Sequence, residues 1–197
     1  MNIRSKNKDI EMQIKLFEQI SKTANHSQRS LSKNMNVALG LANSTLKKFL
    51  KKGLLKLSQA PLRRYSYYIT PKGFVEKTKL VSDFIVSSLG FYKEAKSEYE
   101  KLLLSSNKKK IIFVGVSDLT DIAVLVSKIH NIKISFIYDI NFAPKSYCGI
   151  KIKKNLGDIK KNKYVFILTA SKNISERYNK LSKQGFVINK PNFLFLD

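Results

Sequence analysis

The chain has 197 residues, enough for one large domain or two small ones, and carries 37 Lys and Arg against 14 Asp and Glu, a formal net charge of +23. So basic a balance favours a polyanionic partner over an acidic or neutral one. No apolar run approaches the roughly 18 residues of a membrane span and no signal-like segment opens the chain, so a soluble, cytoplasmic protein with no membrane partner is expected.

The residues before Asp9, with Arg4 and several lysines, read as a mobile arm. From Asp9 to Thr23, Ile10, Ile14, Phe17 and Ile20 recur at spacings of four, three and three, which predicts an amphipathic helix packing on the helix-turn-helix after it. Gln28 to Gly73 reads as one winged helix-turn-helix. Leu31 and Met35 lie on a short first helix, Asn36 supplies a turn that tolerates φ > 0, and Gly53 ends the second helix as its C′ residue. Within that second helix Val37, Ala42, Leu46, Phe49 and Leu50 form an apolar stripe, leaving Ala38, Leu39, Gly40, Asn43, Ser44 and Lys47 on another face. Slim residues at the N-terminal end let a backbone approach the major groove, and amide, hydroxyl and cationic groups then reach base edges and phosphates. Lys48 and Lys51 add charge beside them. Leu54 to Ser58 and Arg64 to Thr70 predict two strands around a loop, a wing whose Arg63 and Arg64 would sit on phosphate or in a minor groove.

The words Lys52-Gly53-Leu54-Leu55 and Tyr68-Ile69-Thr70-Pro71-Lys72-Gly73, at this separation, resemble MarR-type winged-helix regulators, in particular those associated with exopolysaccharide operons. The resemblance covers roughly Ile10 to Leu104 and implies double-stranded DNA as a partner. The chain departs from the pattern at Ala38, where many relatives carry a Ser or Thr N-cap.

After Gly73 a long helix is expected to about Ser105, with Phe74, Thr78, Val81, Ile85, Ser88, Tyr92, Ala95, Tyr99 and Leu102 alternating at four and three. That repeat predicts a helix–helix seam, either of a homodimer or against the N-terminal helix, with Gly90 as a kink or interruption. The polar run Ser105 to Lys110 marks a boundary between a domain of residues 1–105 and one of 106–197. The two halves hold 20 basic against 8 acidic and 17 against 6 residues. Charge is therefore spread over both, and Lys outnumbers Arg 32 to 5, as a genome rich in Lys codons would give.

Beyond the boundary, Ile111 to Gly115, Ile132 to Tyr138 and Tyr164 to Leu168 read as buried strands and Leu119 to Ile129 and Ile174 to Gln184 as helices. Phe186 to Ile188 and Phe193 to Leu196 add strands or a strand and a docking tail. This alternation predicts a small Rossmann-like parallel sheet, so the fold class is α/β overall: an N-terminal winged helix (α+β) plus a C-terminal α/β domain. The first turn places Gly115, Ser117 and Thr120 where a dinucleotide fingerprint has glycines, and Asp139 follows 24 residues after Gly115, where an acid would take a ribose hydroxyl. Asp118 would repel a pyrophosphate, and Ser117 or Asp118 reads equally as a helix cap, so a ligand-free scaffold and a sensor both stand.

Tyr147-Cys148-Gly149-Ile150-Lys151-Ile152 and Leu156-Gly157-Asp158-Ile159 give this half a resemblance to the Rossmann-like domains that precede acyltransferase modules acting on sugar nucleotides, and to related nucleotide-binding sensor domains. It implies a nucleotide or nucleotide-sugar effector held at Gly115, Ser117, Asp118 and Asp139. No hexapeptide-repeat module follows, so acyltransferase activity is not implied. No catalytic triad, Walker loop or paired-carboxylate setting is present, which speaks against an enzyme. Cys148 is the single cysteine, no Cys/His cluster has metal-ligand spacing, and His26 and His130 read as capping or surface residues. No cofactor or metal is expected. The expectation is a sequence-specific transcriptional regulator; the alternative is a nucleotide-sugar-binding enzyme or accessory protein using its winged helix for protein contacts.

Overall fold

The computed structural model describes residues 3–24, 26–60, 64–106, 109–157 and 159–194, and the chain divides into two compact units, Met1–Leu89 and Gly90–Asp197. A two-stranded antiparallel sheet belongs to the first and a separate, mostly parallel six-stranded sheet to the second. Among the described residues no helix is long and apolar enough to cross a membrane.

The first unit is a winged helix built from α1 (Ile3–Lys22), α2 (Gln28–Met35), α3 (Leu39–Lys51), β1 (Leu55–Ala60), β2 (Arg64–Ile69) and the start of α4 (Pro71–Leu104). No Gly or Pro interrupts the chain from Ile3 to Lys22, so Arg4 lies within α1 and not in a loose arm. Ser27 caps α2 by accepting the Ser30 N–H at 3.0 Å. Helices α2 and α3 both stop at a left-handed residue, Asn36 (φ 53°) and Gly53 (φ 67°). In each case the next N–H reaches back five residues, Val37 to the Ser32 carbonyl at 3.0 Å and Leu54 to the Phe49 carbonyl at 2.9 Å, the Schellman arrangement. Leu16, Phe17, Leu31, Leu46, Phe49 and Tyr67 form the core, with the Phe17 and Phe49 rings 4.7 Å apart. His26 is buried, not superficial, and its Nε2 lies 3.0 Å from the Gln19 carbonyl.

Strands β1 and β2 pair from Leu55↔Ile69 to Ala60↔Arg64. Thr70 then ties the wing to α4: its hydroxyl donates to the Gly53 carbonyl at 2.7 Å and accepts the Gly73 N–H at 3.0 Å. Gly73 sits so close to the Leu54 carbonyl oxygen that a Cβ there would collide with it.

Helix α4 runs unbroken through Gly90. The single seam expected along it divides: Phe74 and Ile85 are 59% and 51% exposed, whereas Ala95, Tyr99 and Leu103 are buried in the core of the second unit. The units therefore part within the helix, at 89/90, while the expected boundary lay at the polar run after it. Periodicity reports that a helix has an apolar face, not that one partner covers all of it.

The second unit orders its strands β5-β6-β4-β3-β7-β8, with β5 (Ser146–Tyr147) antiparallel to β6 (Ile150–Lys153) and the other pairs parallel. Strands β3 (Lys110–Val114), β4 (Ile134–Tyr138) and β7 (Tyr164–Leu168) lie in its centre. Ile111 to Val114 and Val165 to Leu168 are buried throughout, as a sheet covered on both faces requires. From β3, α5 (Asp118–Ile129) leads to β4 on one side; from β7, α6 (Ile174–Lys183) leads to β8 (Ile188–Asn189) on the other. Right-handed crossovers then place the two helices on opposite faces, and a crevice opens beyond the carboxyl ends of β3 and β7. The β5–β6 hairpin turns on Cys148 (φ 49°) and Gly149 (φ 80°), the two positive φ values of a type I′ turn. Phe193 and Leu194 are buried without forming a strand, and Lys190 Nζ donates to the Leu194 carbonyl at 2.9 Å, so this segment docks as a tail; residues 195–197 lie outside the described residues.

Two glycines of the one helix should respond oppositely to the same change. Gly73→Ala forces the Leu54 carbonyl aside and is expected to destabilise the winged unit by about 1–3 kcal/mol. Gly90→Ala meets nothing within 4 Å and is expected to stabilise by about 0.5–1 kcal/mol. Denaturant melts of the two full-length variants would show the opposite signs.

Candidate functional site

Two regions gather the side chains expected from the sequence to be functional. The first is the outward face of α3. Burial of Ala42, Thr45, Leu46 and Phe49 turns the line Gly40, Ser44, Lys47 and Lys51 to solvent, with Lys48 beside it. A Cβ at Gly40 would meet nothing within 4 Å, so another molecule can approach the backbone closely there. Leu39 is exposed at the same end, as is Leu41, to which the sequence pattern assigned no role. Ser44 is exposed with its hydroxyl donated to the Leu41 carbonyl at 3.0 Å. Asn43 departs from the fully outward position expected of it: it is half-buried, and its Oδ1 has neither solvent contact nor a hydrogen-bond partner. An unmatched buried acceptor costs about 1–3 kcal/mol, a cost met elsewhere in the fold. Ala38 is the N-cap of α3 and makes no side-chain cap bond, so the first-turn N–H groups lack a side-chain acceptor. Arg64 opens β2, and Arg63 lies outside the described residues.

The second region is the crevice of the α/β unit, a space of about 500 Å³ bordered by the turn after β3, the segment after β4 and the approach to α6. All four residues expected here border it or support it, but their bonds differ from those of a phosphate-binding turn. Ser117 donates its hydroxyl to the Thr169 carbonyl at 2.7 Å and accepts the Leu119 N–H at 3.2 Å. Thr120 accepts the Ser117 N–H at 3.0 Å, completing a capping box on α5. The Gly115 N–H goes to the Tyr138 carbonyl at 2.9 Å and the Val116 N–H to Asp139 at 2.9 Å. The turn has thus spent most of the donors a phosphate would need. Gly115 (φ 90°) is required by Ala170, whose Cβ and Cα a side chain there would strike. Asp118 is exposed at the rim.

Asp139 is 3% exposed. Its carboxylate accepts N–H groups of Val116 and Asn141 at 2.9 Å and of Phe142 at 3.2 Å, and faces Arg177 at 3.3 Å. Burial works to raise its pKa, but the Asn141 and Val116 N–H groups and the Arg177 guanidinium outweigh it and hold the carboxyl below its usual range. With its lone pairs so engaged, Asp139 joins the loops after β3 and β4 and has little left for a ribose hydroxyl. The cationic side of the crevice is Arg177 with Lys172, neither of which was singled out from sequence. The available signal was that Arg177 is the one arginine after Arg64 in a lysine-rich chain.

Cys148 donates to Asp121 at 3.3 Å, and burial together with that carboxylate pushes its thiol pKa up, the reverse of an activated nucleophile. His130 caps α5 and its Nε2 meets Glu100 at 2.6 Å. Among the described residues no three His, Cys, Asp or Glu side chains come together as a metal site.

No family model matches the chain, and no curated protein is significantly similar to it. Among solved structures, the zinc-responsive MarR family member ZitR of Lactococcus lactis aligns with 62% of this chain and 73% of its own, at 14% identity and a TM-score of 0.35. A superposition that loose carries no argument, and the winged-helix assignment stands on the element order, caps and strand register above.

Because the Asp139 pKa is depressed by folding, its contribution to stability is complete above the ordinary carboxylate range and is lost as pH falls through the folded value. Asp139→Asn leaves Arg177 without its carboxylate and turns an amide donor toward backbone donors, an expected loss of about 3–5 kcal/mol at neutral pH. It should also flatten the acid limb of the stability profile, so a variant with the wild-type melting temperature at pH 7 and the wild-type acid limb contradicts the assignment.

Proposed function

We propose that the chain is a sequence-specific DNA-binding transcriptional regulator, not an enzyme, acting as a homodimer in the cytoplasm. The supporting observation is the outward face of α3, where Gly40, Ser44, Lys47 and Lys51 stand in line beyond an uncapped N-terminus. A helix set in the major groove needs a slim leading end, side chains that reach base edges and cations for the flanking phosphates. Leu39 adds an exposed apolar group suited to a thymine methyl. The Arg63–Arg64 end of the wing would add phosphate or minor-groove contacts.

In this reading the α/β unit is the sensor. Its crevice suits a small anionic effector of the nucleotide or nucleotide-sugar class, with the anion toward Lys172 and Arg177 and the Gly115–Ser117–Asp118 turn as the opposite wall. An anion there competes with Asp139 for Arg177, which couples occupancy to the joint between the β3 and β4 loops. The exposure of Leu39, Leu41 and Leu57 favours a second reading, in which the winged face docks on a protein.

The homodimer reading rests on α4. Phe74, Val75, Ile85, Val86 and Leu89 are all exposed, and at about 100° per residue they fall within an arc of about 120°. An exposed apolar arc on the first unit, interrupted only by Thr78 and Ser82, suits a second copy of the same helix, and two recognition helices would then read a palindrome.

Two measurements test these assignments. In anisotropy titrations of the full chain, Leu39→Ala with Ser44→Ala should lower discrimination between operator and random duplex by about 1–3 kcal/mol per lost base contact. Lys47→Gln with Lys48→Gln should weaken every duplex alike and reduce the salt slope by about 0.9 per lost phosphate contact. Wild-type behaviour from both pairs would favour the protein-docking reading. In sedimentation, Ile85→Asp with Leu89→Asp should yield a monomer with undiminished helical circular dichroism, because both side chains are exposed within one chain; a wild-type chain that is monomeric at high concentration, with and without DNA, refutes the stripe as a dimer interface.

A further inference from the structure

We infer that the amino-terminal edge of the parallel sheet in the second unit is a separate, sequence-independent contact surface for the phosphate backbone of duplex DNA. Strand register brings its lysines together. Lys110 opens β3 opposite Tyr164, and Ile111 pairs with Ile134, so Lys110, Lys133 and Lys163 stand at one level where three adjacent strands begin. Lys109 precedes the first of these, and Lys160 and Lys161 precede the third. All six are exposed, and at about 4.8 Å between strands they occupy roughly 10 Å of sheet edge.

Among the described residues most acids of this unit fall elsewhere. Asp118 and Asp121 lie in the first turn of α5, Glu176 in the first turn of α6, and Asp139 follows β4, all at the opposite end of the sheet. Glu100, which α4 brings to the lysine end, is held by His130 at 2.6 Å. Three helices, α4, α5 and α6, end here and carry only about half a negative charge each, so six ammonium groups are still far from neutralised. A lysine-rich genome raises the number of lysines but does not keep the acids away from one end. The surface has the chemistry of backbone contact and not of base reading: lysines act as point charges on phosphate, and the aromatics Tyr164 and Phe186 are half-buried, the latter beneath Lys161, whose Nζ lies 5.6 Å from the ring centroid.

The identity of the polyanion rests on the DNA reading of the winged unit, and the test separates the two. Full-length wild type, Lys110→Gln/Lys133→Gln/Lys163→Gln, an independent Lys109→Gln/Lys160→Gln/Lys161→Gln triple, and Lys47→Gln/Lys48→Gln are titrated with a labelled random-sequence duplex across a salt series. Each edge triple should lower the slope of log affinity against log salt by about 2 to 3, since each phosphate contact contributes about 0.9, and weaken binding at least tenfold at low salt with unchanged preference for any operator. Wild-type slopes from both edge triples overturn the inference and leave the winged reading standing. A loss in the edge triples with none in the Lys47/Lys48 pair upholds the edge while the winged reading fails. A wild-type chain without salt-dependent duplex binding overturns both, and a loss seen only on phosphatidylserine vesicles overturns the edge as a DNA surface.

Discussion

The hydroxyl of Thr70 holds the winged unit together where α3, the wing and α4 meet. It bonds the carbonyl of Gly53, which ends α3, and the N–H of Gly73, which belongs to the first turn of α4, while the Thr70 N–H bonds the Leu54 carbonyl at the base of β1. Three elements thus converge on one residue, and each bond satisfies a group that a helix end or strand end would otherwise leave bare. The angle between α3 and the wing is therefore not free to drift. In the proposed DNA-binding reading α3 needs that fixity, because base edges are read by side chains whose reach is a few ångströms. Gly73 extends the constraint: only a residue without Cβ lets α4 lie against the Leu54 carbonyl, so the long helix leaves the wing at a defined place.

The second unit solves the same problem of bare strand ends differently. Beyond β3, β4 and β7 the free groups are joined by Ser117, Thr120, Thr169 and Asp139, so that nearly every donor of the Gly115 to Thr120 turn is answered from within the fold. This makes the turn stiff and leaves it poor in donors. The positive side of the crevice moves to Arg177 and Lys172 across from it. A Rossmann-like topology places a crevice at the switch point, but which wall presents charge is decided by side chains that no glycine pattern reports.

What was legible from the sequence was what local chemistry dictates. Asn36 and Gly53 are where left-handed residues were expected, since few other side chains tolerate that conformation. Tyr164 to Leu168 was legible as a strand because a run of buried, largely β-branched and aromatic residues has one comfortable environment. The β5–β6 hairpin was missed, although Cys148-Gly149 between Tyr147 and Ile150 carries the X-Gly signal of a type I′ turn. The division of α4 between two units was illegible for a different reason: heptad spacing is a property of one helix, and the change of partner near Gly90 leaves no mark in it. The burial of Asn43 and the bonding of Asp139 were not legible, because burial and the number of backbone N–H groups around a carboxylate are properties of the fold.

The capping pattern ties these observations to function. An N-cap side chain satisfies helix N–H groups at a gain of about 0.5–2 kcal/mol, so leaving one out has a cost that must be set against something. Helix α5, which looks out on the crevice, has a complete capping box and a closed end. Helices α3 and α6 have none: Ala38 cannot accept a hydrogen bond through its side chain, and Asn173, held at φ 51°, makes no cap bond. In the functional reading those two open ends face the phosphates and the anionic effector; Lys172 and Arg177 lie beside the second, while Lys47 and Lys48 stand about two turns along α3 from the first. A cap would compete with an anion for the same N–H groups. The stability forgone at Ala38 is therefore consistent with a helix whose N-terminal donors are reserved for another molecule, and burial of Leu46, Phe49 and Phe17 in the core beneath it is large enough to hold the helix without that cap.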